Sequence, residues 1–138
     1  MRRGLTIDEL GDLVDLPLLA VLATYRRDAT VLLSPVWHEW RDGAFNVVTN
    51  SSDVKARHLV RNPAASIVVC EDSPTYRGVE VRCLVQLSRT GVDDVVGRIA
   101  SRYLGAEAGA AYAARGTDDL VVRLEPGERR AWDFADEY

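Results

Sequence analysis

Between Val79 and Leu87 the chain alternates: Val79, Val81, Cys83, Val85 and Leu87 fall on one face, and Glu80, Arg82, Leu84 and Gln86 on the other. A period of two places alternate side chains on opposite faces of a pleated strand, so this stretch predicts a strand with one buried side. Five other stretches read as strands: Leu18 to Tyr25, Thr30 to Trp40, Ala44 to Thr49, Ala65 to Cys70 and Leu120 to Leu124, the last followed by a short return at Arg130 to Phe134 after Pro126-Gly127. Arg26 to Ala29 supplies a polar turn between the first two, and Asp42-Gly43 is a two-residue hairpin signal before the third. Helical spacing is scarce. Thr6 and Glu9 form a capping-box pattern ahead of Ile7, Leu10, Leu13 and Val14, which predicts a short amphipathic helix stopped by Pro17. Val92, Val95, Val96, Ile99 and Tyr103 define a later helix, and the alanine-rich Ala106 to Ala114 continues it past Gly105. Helices this few cannot cover both faces of an open six-stranded sheet. The predicted fold is therefore mainly β, an antiparallel six-stranded barrel with its core inside and a few peripheral helices.

A length of 138 residues suits a single domain, residues 1–138, which buries about two thirds of the surface of its unfolded chain. The longest apolar run, Leu16 to Tyr25, is broken by Pro17 and is half the length of a spanning helix, and the polar start at Thr6, Asp8 and Glu9 is unlike a signal peptide. A soluble, cytoplasmic protein with no membrane partner is expected. Cys70 and Cys83 lie in predicted strands without metal-ligand spacing, which predicts two buried free thiols and no metal. The formal net charge of −4 argues against nucleic acid, whose affinity rests on clustered cations that neutralise phosphates.

The stretch "TNSSDVKARHLVRNP", Thr49 to Pro63, holds Lys55, the single lysine of the chain. Ser52 or Asp53 caps a predicted helix of roughly ten residues, with Val54, Leu59 and Val60 as its buried stripe and Asn62-Pro63 as its stop. The first amides of a helix lack internal partners and carry the positive end of its dipole, which attracts phosphate. Thr49, Ser51 and Ser52 add hydroxyls there, Lys55 a point charge and Arg57 a bidentate fork. The competing reading is a capped helix with Lys55, Arg57 and Arg61 as a solvated face, and Asp53 favours it because a carboxylate competes for the same donors. In "SPVWHEW", Ser34 to Trp40, Pro35 removes a ladder hydrogen bond. Backbone groups freed there could meet the edge of a planar heterocycle with Trp37 as an aromatic wall, or this could be an edge strand with Trp37 or Trp40 in the core. His38 has no carboxylate to orient it except Glu39, which a strand turns to the other face, and His58 reads as a helix-surface residue. The loop Glu71 to Gly78, with Pro74, Tyr76 and Arg77, is polar and short enough to line a site. Dinucleotide fingerprints, P-loops, nucleophile elbows and metal-spaced ligands are absent.

The succession "LLAVLATYRRDATVLLSPVWHEW", "FNVVTNSSDVKARHLVRNPAASIVV", "YRGVEVRCLVQL" and "VVRLEPGERRAWDF" resembles the pyridoxamine-5′-phosphate-oxidase-like split-barrel flavoproteins, and within them the short deazaflavin-dependent oxidoreductases that use coenzyme F420. The resemblance runs from about Leu18 to Phe134. It implies a six-stranded split β-barrel of the FMN-binding type, a homodimer with two cofactor sites at the subunit interface, and hydride transfer from reduced coenzyme F420 to a small conjugated acceptor. By resemblance, Thr49, Ser51, Ser52, Lys55 and Arg57 hold the cofactor phosphate. The backbone of Pro35, Val36 and Trp37 borders the ring, and Tyr76 and Arg77 close the site. The turn at Arg27-Asp28 departs from the glycine common in relatives, and Asp53 stands where a basic residue is common. FMN is the alternative cofactor, and a cofactor-binding dimer without turnover is the alternative role. No residue is assigned to catalysis, since the cofactor would carry the chemistry.

Overall fold

The computed structural model describes residues 1–138, with strands β1 (Arg2–Arg3), β2 (Ala20–Tyr25), β3 (Val31–Val36), β4 (Glu39–Arg41), β5 (Ala44–Asn50), β6 (Ala64–Cys70), β7 (Gly78–Ser88) and β8 (Asp119–Asp133). The helices are α1 (Val54–Arg61), α2 (Val92–Leu104) and α3 (Ala106–Ala113). All strand pairs are antiparallel, in the order β3-β2-β6-β7-β8-β5-β4, with β1 added to β8. The two outermost strands, β3 and β4, are separated in sequence only by Trp37 and His38. One bent segment thus serves both edges of the sheet, and the ring closes through the covalent chain.

The strand count is eight rather than six. The expected strand Thr30 to Trp40 breaks into β3 and β4, and β1 adds two residues that were not foreseen. Pro35 does not open the ladder; it pairs across from Val21, and the break falls two residues later. There the peptide of His38 leaves the sheet and is taken by α2. The His38 amide donates to the Tyr103 hydroxyl at 3.1 Å, and Arg102 donates to the His38 carbonyl. Tyr103 also donates to the Leu18 carbonyl at 2.8 Å, and Arg102 to the Leu16 carbonyl at 2.9 Å. A bend that would strand buried peptide groups is thereby satisfied.

β8 also differs from expectation. It runs unbroken through Pro126-Gly127 instead of folding back, because a bulge sets two of its residues against the single Arg82 of β7 between the pairs Val81–Arg129 and Cys83–Pro126. Near the N-terminus the capping box forms, with Glu9 N donating to Thr6 Oγ1 and Thr6 N to Glu9 Oε1, but the helix does not. Gly11, at φ 68°, ends one 3-10 turn after Leu10, and a second follows at Leu13–Asp15. The Asp42-Gly43 hairpin forms as read, with φ of 53° and 76° at the two turn residues.

The barrel interior is a cluster of 19 buried residues centred on Leu22, Phe45, Ile67, Val81 and Val122, and Leu59 of α1 reaches into it. The stripe of α1 is rotated from the expected one: Ala56, His58 and Leu59 are buried, whereas Val54 and Val60 are exposed. The cause is a polar anchor, since His58 Nδ1 lies 3.0 Å from Thr24 Oγ1 inside the protein. His58 is accordingly not a surface residue. Of the two thiols only Cys83 is buried, where burial pushes its pKa up to about 12; Cys70 is exposed on the outer face of β6. No helix is long and apolar enough to cross a membrane.

Candidate functional site

β5 ends at Asn50 and the chain turns into α1 through Ser51, Ser52 and Asp53. Asp53 takes the extended N-cap conformation, but its carboxylate accepts from no helix amide. The amides of Val54, Lys55 and Ala56 consequently point out of the helix with no protein acceptor. The Asp53 carboxylate instead accepts from Thr49 Oγ1 at 2.9 Å and from Lys55 Nζ at 3.1 Å. Burial acts to raise this carboxyl, but the Thr49 and Lys55 hydrogen bonds and the Lys55 charge outweigh it and hold it below its ordinary value. Ser51 and Arg89 donate to Asp118, Ser52 donates to Asn50 Oδ1, and Arg57 Nη1 donates to the Ser52 carbonyl at 3.2 Å.

Against this turn lies a cavity of about 330 Å³ whose lining includes Trp37, Thr49 and Asp53 from the sheet side and Ile99 and Tyr112 from the helices. α2 is fixed over β4 and β5 by Arg98, which forks onto Glu39 at 3.0 and 2.9 Å, with Asn46 completing the carboxylate's partners. Val95 and Ile99 pack on Val121, beside Trp37 and Val48. α3 returns over α2 at the close contact of Gly109 with Ser101. The Trp37 indole stacks on Tyr103, with centroids 5.0 Å apart and planes 9° apart, and meets Tyr112 at 5.3 Å and 47°. Trp37 is thus both a packing element and a wall of the cavity, so neither sequence reading excluded the other.

Residues 6–133 match the pyridoxamine 5′-phosphate oxidase family. The chain belongs to that family. Among solved structures, a conserved hypothetical protein from Mycobacterium tuberculosis superposes with a TM-score of 0.83 at 23% identity, over 95% of this chain and 86% of that one. A structure described as an F420 reductase gives 0.70 at 25% identity, over 86% and 93%. The heme storage protein HutZ from Vibrio cholerae gives 0.72 at 16% identity, over 92% and 94%, a likeness of fold alone. No curated protein matches the chain in sequence.

The barrel carries its helices outside, and the expected site residues fall into three groups. Thr49, Ser51, Ser52, Lys55 and Arg57 surround the start of α1; of these only Thr49 lines the cavity, where Trp37 also stands. Val36 points into the barrel core, and Pro35 lies on the outer face of the sheet opposite Val21. Tyr76 and Arg77 stand apart from the cavity. Tyr76 packs edge-on to Phe134, and every charged contact of Arg77 is internal: Glu71 Oε1 at 2.6 Å, Asp12 Oδ1 at 2.7 Å and the Leu10 carbonyl at 2.7 Å. These bonds raise the guanidinium pKa and, led by the Arg77 hydrogen bond, lower that of Glu71. The backbone groups freed at the bend face α2 rather than open space. His38 is fully buried between Phe45 and Tyr103, and neither ring nitrogen has a partner, so it contacts no substrate-accessible volume. Tyr112, Arg115 and Asp119, all lining the cavity, were not anticipated.

Proposed function

We propose that the start of α1 holds the phosphate of a deazaflavin, and that the protein is a cytoplasmic oxidoreductase passing a hydride between reduced coenzyme F420 and a small conjugated acceptor. The observation that carries this reading is the set of three unpartnered amides, Val54 to Ala56, with Lys55 among them, directly after Asp53, which itself lines a cavity with an aromatic wall. Oriented amides at a helix N-terminus with a cationic side chain form an anion site. The likeness to a structure described as an F420 reductase supports the deazaflavin. When bound, that group supplies the hydride. The chain itself holds the phosphate through the amides, Lys55 and Arg57, and the apolar side of α2 excludes water from the Trp37 wall. To bind, the phosphate competes with Asp53 for Thr49 and Lys55. FMN is the second reading, because the same donors suit its compact phosphate. A cofactor-binding protein without turnover is the third, favoured by the absence of any acid–base pair at the cavity.

Titration with coenzyme F420 and with FMN, followed by fluorescence, tests the assignment. Lys55→Ala and Arg57→Ala are each expected to weaken binding of the preferred cofactor by roughly 1.5 to 3 kcal/mol, the range for hydrogen bonds to charged groups. Unaltered affinity in both variants removes the phosphate role, and consumption of reduced cofactor with an enone acceptor separates enzyme from binder.

The proposed partner is a second copy of the chain. Leu33 and Leu84 are 64% and 65% exposed, and with Val31 they lie on the outer face of β3, β2, β6 and β7 among Val21, Ala23, Pro35 and Val68. The apolar part of this face, on β3 and β2, is bordered by Ser66, Glu80 and Arg82 before Leu84 is reached, and an exposed apolar patch with a polar rim marks an interface. Leu33→Glu is expected to convert the dimer to a monomer in light scattering, and an unchanged mass would exclude this face.

A further inference from the structure

Two features of the cavity beside α2 and α3 have no role in holding a phosphate. Asp119, at the start of β8, lines it and accepts the Thr117 hydroxyl, yet it has no cationic partner. Arg115, just past α3, also lines it and makes no ion pair; its guanidinium lies 3.6 Å from the Tyr112 ring centroid, and its Nε donates to the Tyr112 carbonyl at 3.0 Å. The aromatic wall is therefore covered by a planar cation belonging to the chain itself. An aromatic face is negative at its centre and attracts such a group most strongly where water is excluded. Apolar Val96, Ile99 and Ala100 form the floor beneath it.

We propose that this cavity binds a planar organic cation, an amidinium or a cationic heteroaromatic, which displaces Arg115 from Tyr112, lies with its edge toward Trp37 and pairs with the Asp119 carboxylate. The volume of about 330 Å³ is at the lower end of small-molecule sites and suits a compact ligand. Trp37 and Tyr112, at 5.3 Å, stand too close to sandwich a ring, so the ligand lies on Tyr112 and not between the two. The Asp53 carboxylate, on the same lining, is paired with Lys55 in the cofactor-free protein, which leaves Asp119 as the free anion there. The inference does not rest on the proposed function, since the cavity and its charges stand without a cofactor.

Benzamidine, benzamide and benzoate share one shape and differ in charge, and titrating each into the full-length protein by calorimetry tests the proposal without cofactor. Benzamidine is expected to bind about tenfold more tightly than benzamide, as a charge-assisted hydrogen bond and a cation–π contact require, and benzoate not at all. Asp119→Asn is expected to abolish that preference. Arg115→Ala, a change at an exposed residue, is expected to tighten benzamidine binding severalfold by uncovering Tyr112. Equal or better binding of benzoate, weaker benzamidine binding in Arg115→Ala, or no binding by any of the three overturns the proposal. Should Asp119→Asn fail to fold, the Arg115→Ala result decides. Benzamidine binding in a protein that takes neither coenzyme F420 nor FMN would remove the proposed function and leave this inference standing, and the reverse pattern would do the opposite.

Discussion

Lowering the pH from 6.5 toward 4 is expected to remove roughly 3 kcal/mol of folding stability through one residue, His38. Burial, then the charge of Arg102, lowers the folded-state pKa of this imidazole from 6.5 to about 4, against a smaller opposing pull from the Leu18 backbone, which lies outside hydrogen-bond geometry. The unfolded chain therefore binds the proton more readily than the folded one. The stabilising contribution is complete above pH 6.5 and is lost as the pH falls from there to about 4, at a slope approaching about 1.4 kcal/mol per unit. His58, also shifted down by burial and by Arg61, Arg26 and Arg57, adds to the loss with the same sign. The part of the window above about pH 5 is separable from carboxylate titration, because Glu39, Asp53 and Glu71, held below their ordinary values of 4.5, 3.8 and 4.5, lose their contributions only as the pH falls through those values and below. His38→Leu supplies the check. Both ring nitrogens lack partners, so an apolar replacement is expected to be as stable as the parent at pH 7.5 or more so, and urea unfolding at a series of pH values should show most of the slope gone. An unchanged slope would mean that the imidazole is charged or partnered in solution.

Gly109→Val is expected to cost about 3 kcal/mol or more and to dismantle the cavity, as overpacking against backbone does. A Cβ at this position would stand 2.6 Å from the backbone nitrogen and Cα of Ser101, where no side-chain rotation can relieve it. α3 must lift from α2, and Tyr112 must leave Trp37. A lower thermal midpoint accompanied by a changed tryptophan emission is the expected signature. A parent-like melt would show that α3 is free to shift without consequence.

The barrel was legible because its strands obey local rules. The alternation from Val79 to Leu87 and the Asp42-Gly43 turn need only near neighbours, and both appear as read. The bend at Trp37-His38 was not legible, since the groups that satisfy it, Arg102 and Tyr103, lie more than sixty residues later. The same separation explains Arg77: a polar loop arginine resembles a ligand until Asp12 and the Leu10 carbonyl are brought beside it by the fold. The hydroxyl-rich approach to α1 was visible in the sequence, and its geometry follows from a cap residue that turns its carboxylate toward Thr49 and Lys55. Tyr112 and Arg115 were hidden in an alanine-rich run whose composition speaks only of helix. The lone tyrosine there was the one available signal.

The bent segment between β3 and β4 also sets when the protein can mature on the ribosome. The hairpins β2–β3 and β4–β5 can form as soon as they emerge, but the His38 peptide waits for Arg102 and Tyr103, and β8, made last, must slot between β7 and β5. Nascent chains stalled before β8 would carry unzipped flanks on β7 and β5, exposed to chaperones until β8 is translated.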